Sequence, residues 1–246
     1  MKRRILFYLL CIFCIENIFS ENLQKLPRAN KVSIKTINTV ENNEKNAKTY
    51  NEKDYPRISN KNKILINRIN FYDQNENLLI SNDKMEIYNI QCNRNSNIFL
   101  CLKYDDILRE NKNFLYLFDF VKGIQELIDV DVNEYLLSND GKKVYYVTNF
   151  KYRESQNFIF TIFENQRRKT QVINYKNYTN EICSGMRIKL EKDKVVLYLH
   201  QDAPVVVKLF INSDCKVTNF ALPKYDENRG CCYIINPDES IEYLGD

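Results

Sequence analysis

Cysteines and one histidine are the residues whose chemistry would matter most in this chain. Eight cysteines are present. Cys11 and Cys14 stand in the apolar N-terminal run, which leaves Cys92, Cys101, Cys183, Cys215, Cys231 and Cys232. An even number of thiols in a chain bound for an oxidising compartment predicts three disulfides. Zinc is not expected, because beyond the N-terminal run no Cys-x-x-Cys pair exists and His200 is the single imidazole. Cys92 and Cys101 flank the polar loop Asn93-Arg94-Asn95-Ser96-Asn97 between two strand-like runs, so they are expected to pair across a hairpin. For Cys183, Cys215, Cys231 and Cys232 the pairing stays open; a bond between the neighbours Cys231 and Cys232 would close a strained ring.

Nucleophilic catalysis would need a serine or free cysteine beside His200 and a third group to orient it. No Gly-x-Ser-x-Gly and no papain-like cysteine context occurs. Gly123, Gly141, Gly185, Gly230 and Gly245 are the only glycines and stand far apart, which excludes phosphate-cradling loops and the dinucleotide fingerprint. No catalytic residue, metal or cofactor is therefore expected. Arg167, Arg168 and Lys169 form the densest basic run beyond the N-terminus. They are placed in a hairpin turn between Phe158–Phe163 and Gln171–Tyr175, where they could meet an acidic partner loop or glycan. Asn177-Tyr178-Thr179 is the one glycosylation sequon and marks an exposed loop.

The elements that must position these groups begin after a leader. Lys2, Arg3 and Arg4 precede an apolar run over Ile5–Ile15, and Ser20 precedes Glu21, so 1–20 reads as a secretory signal peptide. The run is short of the roughly 20 residues that span a bilayer. Without Lys2, Arg3, Arg4 and Glu16 the chain keeps 33 basic and 31 acidic residues, a net charge of +2. That balance gives no electrostatic footprint for nucleic acid. No later apolar stretch predicts membrane insertion. Residues 21–60 are rich in Asn, Lys, Glu and Thr without sustained periodicity, and are expected to be a disordered arm.

From 61 to 246 short β-branched and aromatic runs alternate with Asn, Asp and Lys, as expected of a β-rich, disulfide-bonded domain. The runs repeat. Leu78–Tyr88 aligns with Tyr135–Tyr145, Ile188–Tyr198 and Tyr233–Tyr243, each a strand, a polar turn and a strand, with Asp83, Asp140, Asp193 and Asp238 at the turns. Those aspartates fall 57, 53 and 45 residues apart. Ile98–Leu102, Phe158–Phe163 and Val205–Phe210 add a third strand to the first three copies. An aspartate suits a turn because its carboxylate accepts backbone N–H groups two residues on. Units of roughly 50 residues predict an all-β, small or incomplete β-propeller-like array of antiparallel hairpins, about four blades. A disulfide-bonded two-sheet sandwich is the alternative. Ile107–Val132 fits the repeat least: Phe114–Phe120 reads as a strand and Val121–Val130 as a short helix or strand around Gly123.

The leader, the Asn/Lys/Ile-rich low-glycine composition and the β repeats resemble secreted surface proteins of malaria-type parasites. Asn177–Tyr198, with Cys183, the nearby Gly185, a strand, a charged turn and another strand, is similar to the last-blade pattern of the cysteine-rich protective antigen family. Those proteins are propellers of an erythrocyte-invasion complex. The cysteine count and Cys231-Cys232 also resemble the six-cysteine sandwich family of the same parasites, which carries Cys-x-Cys near its end. The resemblance implies a secreted protein of the parasite surface or secretory organelles. It would be a non-catalytic, protein-binding component of a surface, invasion or adhesion complex, with a membrane-anchored parasite or host protein as partner. A secreted enzyme inhibitor and a glycan-binding protein are the alternatives.

Overall fold

A computed structural model of the chain describes residues 23–42, 63–82, 86–104, 113–151, 154–191, 194–201 and 206–244. The expected leader, Asp83 and Asp193 lie outside them. The described residues are all-β, built of antiparallel sheets of hairpins with one short turn of 3-10 helix at Tyr175–Asn177. The chain divides into two compact units, Met1–Asp129 and Val130–Asp246, where the sequence predicted one domain from 61 onward.

In the first unit β1 (Leu23–Lys25) precedes β2 (Val32–Asn42), β3 (Lys63–Asp73) and β4 (Leu78–Asn82), and the last three form a sheet in that order. The second sheet is a meander of β5 (Glu86–Cys92), β6 (Ile98–Tyr104), β7 (Asn113–Asp119) and β8 (Ile124–Val130), extended by β1 along β8. The two sheets meet through Phe71 of β3 and Phe99, Phe118 and Phe120 of the meander. The Phe71 ring stacks on Phe118 at 5.2 Å and meets Phe99 edge-on at 5.3 Å. Burying each ring contributes about 1.5–3 kcal/mol.

The arm expected at 21–60 is thus corrected over its described part, Leu23–Asn42, which is mostly strand. Among the described side chains of β2, Val32 and Ile34 pack against this core, and a two-residue alternation is too short to stand out among Asn and Lys. β1 and β2 are held instead by their ladders to β8 and β3. Val121–Val130 resolves as a turn and then β8, with Gly123 at φ +71 donating its N–H to Asp119 O at 2.8 Å.

The second unit is a stack of three sheets. β9 (Val132–Leu137), β10 (Lys143–Thr148), β11 (Asn157–Glu164) and β12 (Arg167–Asn174) form the first, in sequence order. β13 (Cys183–Glu191), β14 (Lys194–Gln201), β15 (Val206–Ile211) and β16 (Val217–Ala221) form the second, and β17 (Pro223–Asp226), β18 (Cys231–Ile235) and β19 (Ile241–Leu244) the third. The middle sheet is covered on both faces. Val195, Leu197 and Leu199 pack against Phe158, Phe160, Ile162 and Ile173 of the first sheet. Val196 and Tyr198 pack against Ile234 and Leu244 of the third. An unbroken apolar run such as Val195–Leu199 is what a strand buried on both sides requires. Three meanders stacked face to face are compatible with successive blades of a propeller-like array and with a sandwich arrangement of sheets.

Three of the four aligned copies are hairpins: β9–β10, β13–β14 and β18–β19. Leu78–Tyr88 is not, because β4 and β5 belong to different sheets. A second repeat, invisible to that alignment, lies in five hairpin loops. In each, a polar residue opens the turn and its carbonyl accepts the N–H three residues on: Asp73 from Glu76, Asn93 from Ser96, Ser138 from Gly141, Asn212 from Cys215 and Asn236 from Glu239, at 2.8–3.1 Å. The side chains of the first four openers also accept the N–H that re-enters the strand, as from Lys216 to Asn212 Oδ1 at 2.9 Å. At Ser240 that N–H is taken by Asp238 Oδ1 at 3.2 Å. The donor position has positive φ each time, and only Gly141 among the five is a glycine.

Left-handed backbone costs a non-glycine residue roughly 1–2 kcal/mol, against about 0.5–1 kcal/mol of extra folding entropy for glycine. Glu239→Gly should therefore raise stability by about 0.5–1 kcal/mol. Asn212→Ala, which removes the oxygen that accepts the Asp214 and Lys216 N–H groups, should lower it by about 1–2 kcal/mol. Chemical denaturation of both variants checks this; destabilisation by Glu239→Gly would contradict the account of these turns.

Candidate functional site

β12 is an edge strand of its sheet and carries the basic run. The turn before it has two residues, Asn165 at φ +50 and Gln166 at φ +61, the pair of left-handed residues that a tight type I′ hairpin needs. Arg167, Arg168 and Lys169 are thus not in the turn, as the sequence predicted, but are the first three residues of the strand, and all are exposed. The difference arises because Asn165-Gln166 takes up the reversal without a glycine.

Register follows from that turn. Glu164 faces Arg167, so 167, 169, 171 and 173 bond to β11, and the series continues as Tyr175 N–H donating to Gln156 O at 3.1 Å. Arg168, Thr170 and Val172 turn their backbone groups away from β11. One side-chain face of β12 is tied to the second sheet. Lys169 Nζ donates to Ser213 O at 2.9 Å and lies 3.3 Å from Asp214 Oδ1, Gln171 Oε1 accepts Val217 N–H at 3.0 Å, and Ile173 is in the core. Val172, on the other face, is 67% exposed.

Beyond β12 the 3-10 turn is capped by Asn174 Oδ1, which accepts Lys176 N–H at 3.0 Å. Asn177 is exposed, as its sequon required. Tyr178 meets the exposed Phe220 edge-on at 5.4 Å, and Ile182 and Leu222 are exposed on the same segments. Strand edge, cations, apolar side chains and sequon thus share the run from β12 to the start of β13 and the end of β16.

None of the six cysteines is disulfide-bonded, which corrects the three expected bridges. Cys92 stands opposite Phe99, one diagonal step from Cys101. Such neighbours are about 7–8 Å apart, beyond the usual Cα span of a disulfide. Cys92 is exposed and Cys101 buried. Cys183 and Cys215 belong to one core cluster, where each Sγ donates to a carbonyl, Gly185 O at 3.1 Å and Phe160 O at 3.4 Å. Burial pushes the Cys101 thiol up to about 12 and those of Cys183 and Cys215 to about 11, so all three stay protonated near neutral pH. Cys231 and Cys232, adjacent in β18, point to opposite faces of the third sheet.

His200 lies in β14 opposite Gly185 and Val206, half-buried. Ser184 donates its hydroxyl to the His200 carbonyl at 3.2 Å, not to the ring. Burial, with Arg187 and Lys189 adding to it, holds the imidazole below its ordinary range. Asp140 is a turn residue as expected: Lys142 N–H and Ser138 Oγ donate to it at 3.0 and 2.7 Å, which holds its carboxyl low. Asp238 makes the corresponding bond to Ser240.

Two features were not read from the sequence. Glu134 of β9 is pushed up by burial, against an N–H from Ile188 and the charge of Arg187, so the first strands of successive sheets share a titratable group. Lys208 of β15 is buried, with Nζ 3.3 Å from both Glu191 Oε1 and Asn236 Oδ1 and ion-paired to Glu242 of the third sheet. Tyr198 donates its hydroxyl to the same Glu191. The only sequence sign of Lys208 is a lysine interrupting the apolar run Val205–Phe210. Among the described residues no helix is long and apolar enough to cross a membrane, and no cluster of His, Cys, Asp and Glu could hold a metal ion. No family model matches the chain, and a search of curated proteins returns no match.

Native thiol labelling should modify Cys92 rapidly and spare Cys101, Cys183 and Cys215 until the protein is denatured, read by intact mass. Protection of Cys92, or labelling of those three in the folded protein, would contradict the placement. For His200 the neutral form is favoured in the fold, so the unfolded chain takes up its proton first. Stability is therefore lost as pH falls below about 6.5 toward the lower folded-state value. His200→Gln should flatten the pH dependence of the denaturation midpoint in that window, while Glu134→Gln should remove a contribution of opposite sign.

Proposed function

We propose that this protein is a non-catalytic, protein-binding component of a parasite surface or invasion complex, exported on the 1–20 leader and held at the surface by a membrane-anchored partner. The observation that carries the reading is the outer strand β12: an eight-residue open edge, cationic at its start and carrying the exposed Val172. The exposed Phe220, Ile182 and Leu222 add apolar contact area beside Tyr178. Aromatic and arginine side chains on a rigid scaffold are what recognition interfaces concentrate. The resemblance to parasite surface proteins supplies the setting, and the edge strand supplies the means.

Affinity purification of the tagged endogenous protein after mild crosslinking tests this reading. A recurrent, stoichiometric, membrane-anchored partner is the expected outcome. Recovery of the chain alone, at its own mass, would overturn it in favour of a free inhibitor or a glycan-binding protein.

A further inference from the structure

We propose that the uncovered corner of the middle sheet, at Gly185, Arg187, Lys189 and His200, binds a tetrahedral oxyanion, the sulfate or phosphate group of a ligand. This goes beyond the protein-binding reading and does not rest on it. Gly185 of β13 stands opposite His200 of β14, Arg187 opposite Tyr198 and Lys189 opposite Val196. Directly opposed residues share a face. On that face Val196 and Tyr198 meet Ile234 and Leu244 of the third sheet, in a core that draws on β14, β15 and β16 but on no described residue of β13. Arg187 and Lys189 are accordingly exposed, and Gly185 and His200 half-buried.

Charge selects an anion. Among the described residues neither Arg187 nor Lys189 has a carboxylate within ion-pair distance, and Lys189 Nζ lies 4.7 Å over the Tyr198 ring. Glu191 and Glu242, the acids nearest on this side, are turned to Lys208. Glu134 of β9 acts on Arg187 from the sheet edge, where it accepts the Ile188 N–H. Burial and then the charges of Arg187 and Lys189 disfavour the imidazolium of His200. An anion set among the three groups replaces that repulsion by attraction to each. Geometry selects its shape. Diagonal neighbours across a ladder, as Arg187 and His200 are, stand about 7–8 Å apart. Between them Gly185 has no side chain, and a Cβ there would meet no atom within 4 Å. An anion that bridges such a span must present oxygens on opposite sides, as sulfate and phosphate do, whereas the two oxygens of a carboxylate lie on one side.

His200 is the only histidine, so its ring protons report on the site in a nuclear magnetic resonance spectrum of the full chain. Sodium sulfate is titrated against sodium chloride of matched ionic strength, which controls for screening. The expected result is saturable movement of the ring signals and a rise of the His200 titration midpoint by about one pH unit, equivalent to roughly tenfold tighter sulfate binding to the imidazolium. Glu134→Gln, which removes the carboxylate acting on Arg187, should tighten sulfate binding and keep this pH dependence. The backbone at Gly185 is not left-handed, so Gly185→Leu should fill the space without loss of the unfolding midpoint and weaken sulfate binding roughly tenfold or more. In Arg187→Gln, Lys189→Gln protein the free imidazole should titrate higher, since two cations are gone, and sulfate should raise it no further. Ring signals that move no more in about 10 mM sulfate than in matched chloride overturn the proposal. So does undiminished binding in the folded Gly185→Leu protein or in the doubly substituted one. Glucose 6-sulfate and glucose 6-phosphate then identify the source of the oxyanion: a roughly tenfold preference assigns that ester, and equal binding supports the shared group. Failure of both esters where sulfate binds marks an adventitious ion only and overturns the assignment.

Discussion

Reversing the chain at most strand ends without glycine is the constraint on which this structure depends. The sequence has only five glycines, and the described residues form five sheets. The turns are held by a side chain at their first position, Asp73, Asn93, Ser138 or Asn212, that satisfies the N–H groups of the reversal. The bond compensates for placing Glu76, Ser96 and Cys215 in left-handed backbone. Once each reversal is fixed, the ladder register is fixed, and with it the face to which every second side chain points. The high asparagine content of the chain, which at first sight marks disorder, is in these loops the structural material itself.

Packing then follows from alternation. In the middle sheet of the second unit both parities of β14 are apolar, and the sheet is buried on both sides. The first and third sheets have one such face each within this unit. Where a polar residue falls on a buried parity, its charge is met locally, as Lys208 is met by Glu191, Asn236 and Glu242. The desolvation that such a burial costs is offset only because several oxygens converge on one ammonium group.

The sequence was legible where a period is long or a turn residue stands between two strong runs. Tyr135–Tyr145, Ile188–Tyr198 and Tyr233–Tyr243 are the hairpins their pattern predicted, because apolar alternation on both sides of a polar turn has one low-energy solution. Leu78–Tyr88 has the same local pattern, yet its halves lie in different sheets, since no local rule says whether a turn stays within a sheet or steps to the next. β2 was missed because its stability comes from pairing with β3, a contact about thirty residues away that composition does not encode. The six cysteines were read through compartment and count; their placement in cores, faces and edges depends on register, which sets Cys92 one diagonal step from Cys101. Of the candidate surface, the basic run and the sequon were visible as residue types. That the cations lie on an open strand could be known only once Asn165-Gln166 was seen to make the turn.

The third sheet ends the stack, and its far face is apolar at Ile235 and Ile241, with the Tyr233 and Tyr243 rings 5.9 Å apart. It is therefore the layer whose detachment exposes the least additional core, and sub-global opening of the second unit begins there. Lys208 sets the character of that opening. Separation removes Glu242 and Asn236 from the ammonium group together and leaves Glu191 as its single anion, so partial detachment gains little hydration for the contacts it breaks. A buried cation shared between two layers thus makes a small terminal sheet open as one cooperative unit rather than fray strand by strand.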